Sequence, residues 1–302
     1  DISIKSNDKH YINLFRMGAD IFPRNYFYVD LPQDKKLKKV VAVKSCPQIR
    51  KNAKKKYKSV DMSGYANSDL LFKNLLAENI LPYFAEDPYD IHLPVVKNKN
   101  VWEILEPKQL LSLGYSDSAK YFTEAMKSYD SLSDTGMTLL ESLNFHNRLL
   151  VQNPKSKYWV LYCSAGKNVC ATAYHNKAHF WADKKTYWFN PDSITEAHYL
   201  VGVLNSKYAN DIIKPFQSKG LMGERDIEKK ILDIGIPRFK KTNKEMAKIS
   251  KLAETLSKKV EKNISKFTAK VIGKRRNQVR DHFKQEFAEI DALVIKLFAE
   301  SK

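Results

Sequence analysis

Tyr158-Trp159-Val160-Leu161-Tyr162-Cys163, then Ser164-Ala165-Gly166-Lys167-Asn168, then Val169-Cys170-Ala171-Thr172-Ala173-Tyr174 is the stretch that decides the fold class. Two runs of strand length, rich in aromatic and β-branched residues, flank Ala165-Gly166-Lys167-Asn168, whose turn chemistry predicts a hairpin. Working outward, residues 179–189 read as one further strand. Residues 195–205 change to helical spacing, with Ser193 or Thr195 as the cap. Upstream, Tyr26-Phe27-Tyr28-Val29 and Val40 to Val43 read as short strands joined by a polar, Pro-containing turn between Leu31 and Leu37.

Residues 67–79 read as a helix through Leu70, Leu71, Leu75 and Leu76, residues 91–96 as a strand, and residues 108–150 as helical with breaks near Gly114 and Gly136. In the last sixty residues, Ile249, Leu252, Leu256, Val260, Ile264, Phe267 and Val271 recur every three or four positions, the stripe of an amphipathic helix. Val279, Phe283, Phe287, Ile290, Val294 and Leu297 make a second stripe beyond Gly273, so two antiparallel helices joined near Lys274 to Arg276 are expected. The expected fold class is α+β: mixed small β-sheets with helices over residues 1–240, followed by a C-terminal antiparallel helical pair over 241–302.

The chain has 302 residues, 43% of them hydrophobic, enough for a substantial core, which excludes disorder as a description of the whole. The longest clean apolar run, Tyr199 to Leu204, falls far short of the roughly 18 to 20 residues a membrane-spanning helix needs. Cys46, Cys163 and Cys170 form no repeated spacing, so neither a disulfide framework nor a four-thiolate metal site is indicated. A reducing, cytoplasmic setting is expected. The sequence opens at Asp1 with neither an initiator Met nor a leader pattern, and is read as a piece of a longer polypeptide.

Lys and Arg outnumber Asp and Glu by 52 to 34, a net charge of +18. This points to a polyanion, with nucleic acid the first candidate; a Lys-rich solvated surface is the alternative. From Lys35 to Lys58 there are eleven basic residues and no acid. Such a segment either faces something negative or extends into water through self-repulsion, and the sequence leaves both open.

Constellations for catalysis are weak. Ser164-Ala165-Gly166-Lys167 matches only the tail of a phosphate-binding loop and is explained by a hairpin turn. Cys163, Cys170, His175 and His179 are zinc-ligand types, but their spacing strings them along strands. No local sequence brings Cys163 to His146 or His198 as a nucleophilic pair. Asp192 and Glu228-Lys229-Lys230 supply the letters of a metal-dependent nuclease, which chance provides in a Lys-rich chain.

Residues 205–238 are more informative. Gly220 and Gly223 permit a backbone shape that approaches a phosphate, with Lys214, Lys219, Arg225, Lys229 and Lys230 around it, and Gln217 is an amide able to pair with adenine or a phosphate. A turn between helices with basic decoration fits the same composition.

Four blocks resemble the C-terminal, target-recognising half of large adenine-N6-specific DNA methyltransferases, a class that includes fused restriction-modification enzymes. They are residues 18–27 (Gly18-Ala19-Asp20-Ile21-Phe22-Pro23-Arg24-Asn25-Tyr26-Phe27), the run from Leu149 through Gln152-Asn153-Pro154 to Ala171, the run from Glu196 through Asn205-Ser206, Gln217, Gly220, Gly223 and Arg225 to Ile236-Pro237-Arg238-Phe239, and Ile290-Asp291-Ala292-Leu293-Val294. They stand in the family's order, and residues 60–140 match only loosely. The family's Asn-Pro-Pro-Tyr-like motif is missing, because Asn153-Pro154 continues to Lys155 and Asn190-Pro191 to Asp192. No glycine-rich loop for S-adenosylmethionine is present either.

The resemblance therefore implies a double-stranded-DNA-recognition module that does not methylate alone. Its partners would be DNA and an upstream catalytic domain that carries S-adenosylmethionine; no cofactor and no membrane partner is expected for this chain. It also makes Arg24, Asn25, Lys214, Lys219, Arg225, Lys229 and Lys230 candidates for backbone or groove contacts, and Gln217 together with side chains of the variable first half candidates for base reading. Pro23-Arg24-Asn25 has a second reading, a strand entry held by an Asn turn and a buried Arg pair. A stand-alone specificity subunit and a metal-dependent endonuclease are the alternative functions.

Overall fold

The computed structural model of the chain describes residues 8–32, 39–220 and 223–300. Within it the hairpin forms as the sequence predicts: Tyr158–Cys163 pairs antiparallel with Ala171–His175, Tyr158 opposite His175 and Tyr162 opposite Ala171. Thr186–Phe189 and then Arg16–Met17 complete a four-stranded antiparallel sheet. The two-residue period of the strand divides its side chains between two cores. Val160 and Tyr162 join one cluster, while Trp159, Leu161 and Cys163 join another.

Residues 179–189 are not one strand but two. Phe180–Ala182 runs parallel to Leu71–Leu75 at the edge of a six-stranded sheet, whereas Thr186–Phe189 belongs to the four-stranded one. The polar corner Asp183-Lys184-Lys185 turns the chain between sheets, Asp183 O accepting from the Thr186 amide (2.9 Å) and hydroxyl (2.7 Å). Apolar residues on both sides of the corner hide the switch from pattern reading.

The six-stranded sheet runs Phe180–Ala182, Leu71–Leu75, Tyr89–His92, Tyr28–Asp30, Val40–Ser45, Ser63–Asn67. Residues 67–79, expected as a helix, are a short 3-10 turn and then the strand Leu71–Leu75. That strand lies between two others and buries Phe72, Asn74 and Leu75, and an apolar run this short is ambiguous between helix and strand. Helix Ser116–Leu132 covers one face through Tyr121, Phe122, Ala125 and Tyr129.

Helix Ile194–Asn205 starts at Ser193, whose hydroxyl accepts from the Glu196 amide at 3.1 Å. It packs between the hairpin and helix Lys244–Lys262 and is buried over its last three turns. Asn205 then acts as a surrogate strand: its Oδ1 accepts from Ala171 N (3.0 Å) and its Nδ2 donates to Ala171 O (2.8 Å). Ser206 caps the next helix, Lys207–Ile213. Asp291 caps it as well, accepting from Tyr208 N at 2.7 Å; burial raises this carboxyl's pKa above the usual range. Three of the quoted sequence blocks thus meet through these polar contacts.

The closing segment is three helices, Lys244–Lys262, Ile272–His282 and Lys284–Glu300, rather than the expected pair. The break falls at 263–271, and Lys274 to Arg276 lie inside a helix. Phe267 is buried in phase with the first stripe although its backbone is non-helical, which is why spacing alone ran past the break. Ile249, Leu256, Ile290 and Val294 share one core with Tyr199, Leu200 and Val160, so no packing boundary falls at residue 240. Among the described residues no helix is long and apolar enough to cross a membrane.

Gly18 lies where the two sheets meet. Its amide donates to Thr186 O (2.9 Å) and the next amide, Ala19 N, to Ala182 O (2.8 Å). A Cβ at Gly18 would stand 2.3 Å from Asp183 O, a backbone atom. Gly18→Ala is expected to lower the unfolding free energy by roughly 3 kcal/mol, checked by denaturant titration.

Two imidazoles are buried neutral. His92 Nε2 bonds Ser118 Oγ at 2.9 Å between the rings of Tyr121 and Phe122, and burial pushes its pKa down to about 3. Burial pushes His198 down to about 4. Since an unfolded histidine titrates near ~6.5, the unfolded chain binds the extra protons, and stability is lost as pH falls through 6.5 toward the folded values. Each imidazole should remove about 2 kcal/mol between pH 7 and pH 5; equal denaturation midpoints at the two pH values would contradict this.

Candidate nucleic-acid interface

The Arg24–Tyr26 turn places two adjacent side chains in opposite roles. Asn25 is buried; its Nδ2 donates to Tyr57 O (2.7 Å) and Val60 O (3.3 Å), and Ser45 Oγ donates to Asn25 O (2.7 Å). It braces the turn and has no amide left for DNA, which removes it from the contact set expected from sequence. Arg24 Nη2 donates to Asp183 Oδ2 at 3.0 Å, and its guanidinium lies 5.7 Å from the centre of the Tyr28 ring. Burial acts to lower its pKa, but Tyr28 and Asp183 outweigh this and raise it. The buried-pair reading of this turn therefore holds, yet the Arg24 side chain keeps 29% exposure while Asp183 keeps 1%.

That exposed edge opens on two small clefts sharing Arg24, Glu78 and Lys185. One, of about 210 Å³, also takes in Lys54 and Lys184; the other, of about 240 Å³, takes in Ser164, Ala165 and Arg276. Lys54 lies over the Phe22 ring at 4.9 Å and Lys184 pairs with Asp20. Lys54 belongs to the basic segment that the sequence singles out, whereas Lys184, Lys185 and Arg276 escape sequence reasoning; the Lys184-Lys185 pair in a polar turn is the available signal.

Beside Ala165 stands the second group of expected contacts. Gly166 N donates to Arg225 O (2.7 Å), Arg225 N to Ser218 O (3.0 Å), and Ala165 bridges to Asp226. The hairpin Lys219–Gly220/Gly223–Glu224 projects from this point; the Lys219 side chain lies outside what the structure describes. Arg24 and Arg225, some two hundred positions apart in sequence, thus border one stretch of surface. The Arg225 side chain is 75% exposed, with Asp226 at 4.0 Å as its nearest acid among the described residues.

The remaining candidates are committed internally. Gln217 is buried and its Nε2 donates to Gly166 O at 3.1 Å, so its amide shapes the turn rather than facing a base; its Oε1 has no partner among the described residues. Lys214 pairs with Asp211 (2.9 Å), Lys230 donates to Phe216 O (2.6 Å) and Lys229 to Ile12 O (3.2 Å). Lys229 and Lys230 thus contact carbonyls, whereas the Lys214 charge is met by Asp211.

A larger concavity lies on the six-stranded sheet. Strand Val40–Ser45 buries Val43 and exposes Ala42 and Lys44, and Ala42 sits opposite Tyr65, itself 58% exposed. Ala42, Tyr65, Phe72, Lys73 and Asp90 line a cleft of about 870 Å³. Through Ser68, Leu71 and Ala178 it meets a second, of about 810 Å³, bordered by Lys97, Lys155 and Lys177. Tyr89, in the wall of the first, contacts Tyr28 (5.9 Å), the ring beneath Arg24, so trough and small clefts adjoin.

The basic segment runs along the same sheet; its residues 35, 36 and 38, and most of the turn expected between Leu31 and Leu37, lie outside the described residues. Arg50 pairs with Asp61 and Lys56 with Asp134. Lys39, Lys44, Lys51, Lys55 and Lys58 have no carboxylate of the described residues within 4.0 Å.

The metal-type residues serve packing. Cys170 Sγ lies 3.3 Å from Ile80 O and Cys163 Sγ 3.0 Å from Arg276 Nη2, while His179 packs on Phe72 and Trp102. Among the described residues no three His, Cys, Asp or Glu side chains form a group suited to a metal ion.

No protein-family model matches the sequence, and no curated protein matches it. The fold is shared with part of a solved restriction-modification enzyme. That structure is the Type IIL enzyme MmeI in complex with DNA, similar with a TM-score of 0.52 over 94% of this chain, at 9% sequence identity. This chain spans about a third of its length, 32%.

Asn25→Ala should lower the unfolding free energy by about 2 kcal/mol, because Val60 O loses its donor and Tyr57 O keeps only the Val60 amide. The salt dependence of any polyanion binding by the folded variant should stay the same.

Proposed function

We propose that this chain binds double-stranded DNA as the target-recognition portion of a restriction-modification enzyme, and that the enzyme is an adenine-N6 methyltransferase whose catalytic domain lies outside this sequence. The observation that carries the reading is the fold likeness, over 94% of the chain, to a restriction-modification enzyme solved with DNA. The charge of +18 and the lysines around the trough support it independently.

The work divides into two physical parts. Lysines and Arg225 neutralise phosphates and release counterions, a contribution without sequence information, whose log-log salt slope is about −0.9 per phosphate. Discrimination needs side chains facing base edges, each good pair worth roughly 1–3 kcal/mol. Tyr65, Lys44 and Asp30 occupy the exposed side of the sheet or its cleft and replace Gln217 as candidates for that task. Together these contacts would offset the few kcal/mol (~) of extruding a base toward a catalytic domain.

S-adenosylmethionine belongs to that absent domain in this reading. The stretch here closest to a nucleotide loop, Ser164 to Lys167, does not suit it: the Gly166 amide is already bonded to Arg225 O, and its carbonyl to Gln217.

Fluorescence anisotropy of a labelled duplex across a salt series tests the proposal. Binding should weaken steeply with salt, and Arg225→Ala should flatten the slope by about one. Absence of duplex binding at low salt, or tight calorimetric binding of S-adenosylmethionine by this chain alone, would overturn it.

A further inference from the structure

We propose that the cleft of about 240 Å³ between the Ser164-Ala165-Gly166 turn and the start of helix Ile272–His282 receives one backbone phosphate of bound DNA. The inference rests on the DNA-binding reading and adds to it a specific anion site.

The starting observation is a contrast between two neighbouring arginines. Arg275 has a carboxylate: its Nη1 and Nη2 each donate to Glu86 at 2.7 Å. Arg276 has none. Its Nε donates to Ile80 O (3.0 Å) and its Nη2 to Ala77 O (2.5 Å) and Cys163 Sγ (3.0 Å), two carbonyls and a thiol. The Cys170 thiol beside it and burial raise the Cys163 pKa, whereas at Cys170 the effect of burial is outweighed by the bond to Cys163 and by Arg276 and Arg280, which bring its pKa down to about 7. A largely desolvated guanidinium that meets no carboxylate among the described residues is costly unless an anion completes its surroundings. Its Nη1 has no hydrogen bond among the described residues and stands 3.8 Å from where a Gly166 Cβ would be.

The rest of the cleft suits a phosphate oxygen. Lys185 is exposed, with no carboxylate of the described residues within 4.0 Å, and its carbonyl is tied to Ser164 N (2.9 Å), which fixes the two residues side by side. The Ser164 hydroxyl has no partner among the described residues and is a free donor. Arg24 brings its exposed edge from the opposite side. Ile272 opens its helix without a side-chain cap, leaving first-turn amides unsatisfied by the chain. Lys185 and Arg276 thus face one acid, Glu78, while Arg24 is already met by Asp183. The volume is below the roughly 300–1,000 Å³ of pockets that enclose small-molecule ligands, which favours a single phosphate group over a whole nucleotide.

The position also fits the strand of contacts already described. The cleft shares Arg24 and Lys185 with its neighbour holding Lys54 and Lys184, and Ala165 ties its rim to the segment carrying Arg225. A phosphate seated here would lie between those cations.

The test uses Lys185→Gln and Ser164→Ala, because Arg276 is bonded to the core and its loss would disturb folding. Duplex binding is followed by anisotropy over a salt series, with thermal melts confirming that both variants fold. Lys185→Gln should bind about tenfold more weakly at 0.1 M salt and flatten the log-log slope by about 0.9. Ser164→Ala should lose affinity about threefold with the slope unchanged, since it removes a neutral donor. If wild type binds and both variants match it in affinity and slope, the phosphate site is wrong while the DNA-binding reading stands. If wild type itself does not bind duplex, both fall.

Discussion

The Arg24–Asp183 ion pair is the interaction on which the remainder depends. Asp183 is almost completely buried at the corner where the chain leaves one sheet for the other, and a carboxylate there must be fully met. Arg24 supplies the charge at 3.0 Å and the Lys185 amide a second donor at 3.0 Å. Close by, Gly18 runs against the same corner with no room for a side chain. Fixing this joint fixes the relation of the two sheets, and with it the positions of the hairpin turn, the Lys184-Lys185 pair and the trough.

The joint also shapes what the surface can do. A guanidinium anchored by a buried acid cannot swing, so its exposed edge is presented in one place, while the lysines around it keep flexible stems and full charge. A rigid arginine flanked by mobile lysines suits a partner whose charges are regularly spaced but whose exact register varies, as along a nucleic-acid backbone. The sheet trough beside it has a different character, with Tyr65 and Ala42 exposed among a few charged groups, and offers the kind of surface from which base edges are read.

Much of the fold was legible in the amino-acid order. The hairpin around Gly166, the Ser193 cap, the helix over 116–132 and the stripes of the closing helices all rest on interactions between residues a few positions apart. The failures have a common origin. Residues 71–75 read as helix because Leu70, Leu71, Leu75 and Leu76 keep helical spacing, residues 179–189 read as one strand because apolar residues flank the corner, and Phe267 keeps the phase of a helix that has already ended. In each case burial came from partners distant in sequence.

The candidate site divides in the same way. The order of residues determined that the chain is α+β and strongly cationic, that Gly166 turns a hairpin and that Asn205-Ser206 ends a helix, because propensity, capping and net charge are local or additive. Only the tertiary structure decided which polar groups are spent and which are free: the Asn25 and Gln217 amides are consumed by carbonyls 32 or more positions away, Arg24 is held by an acid 159 positions away, and Arg276 meets no acid among the described residues. Pairing in three dimensions depends on where the folded backbone carries each group, and no pattern along the chain encodes that distance.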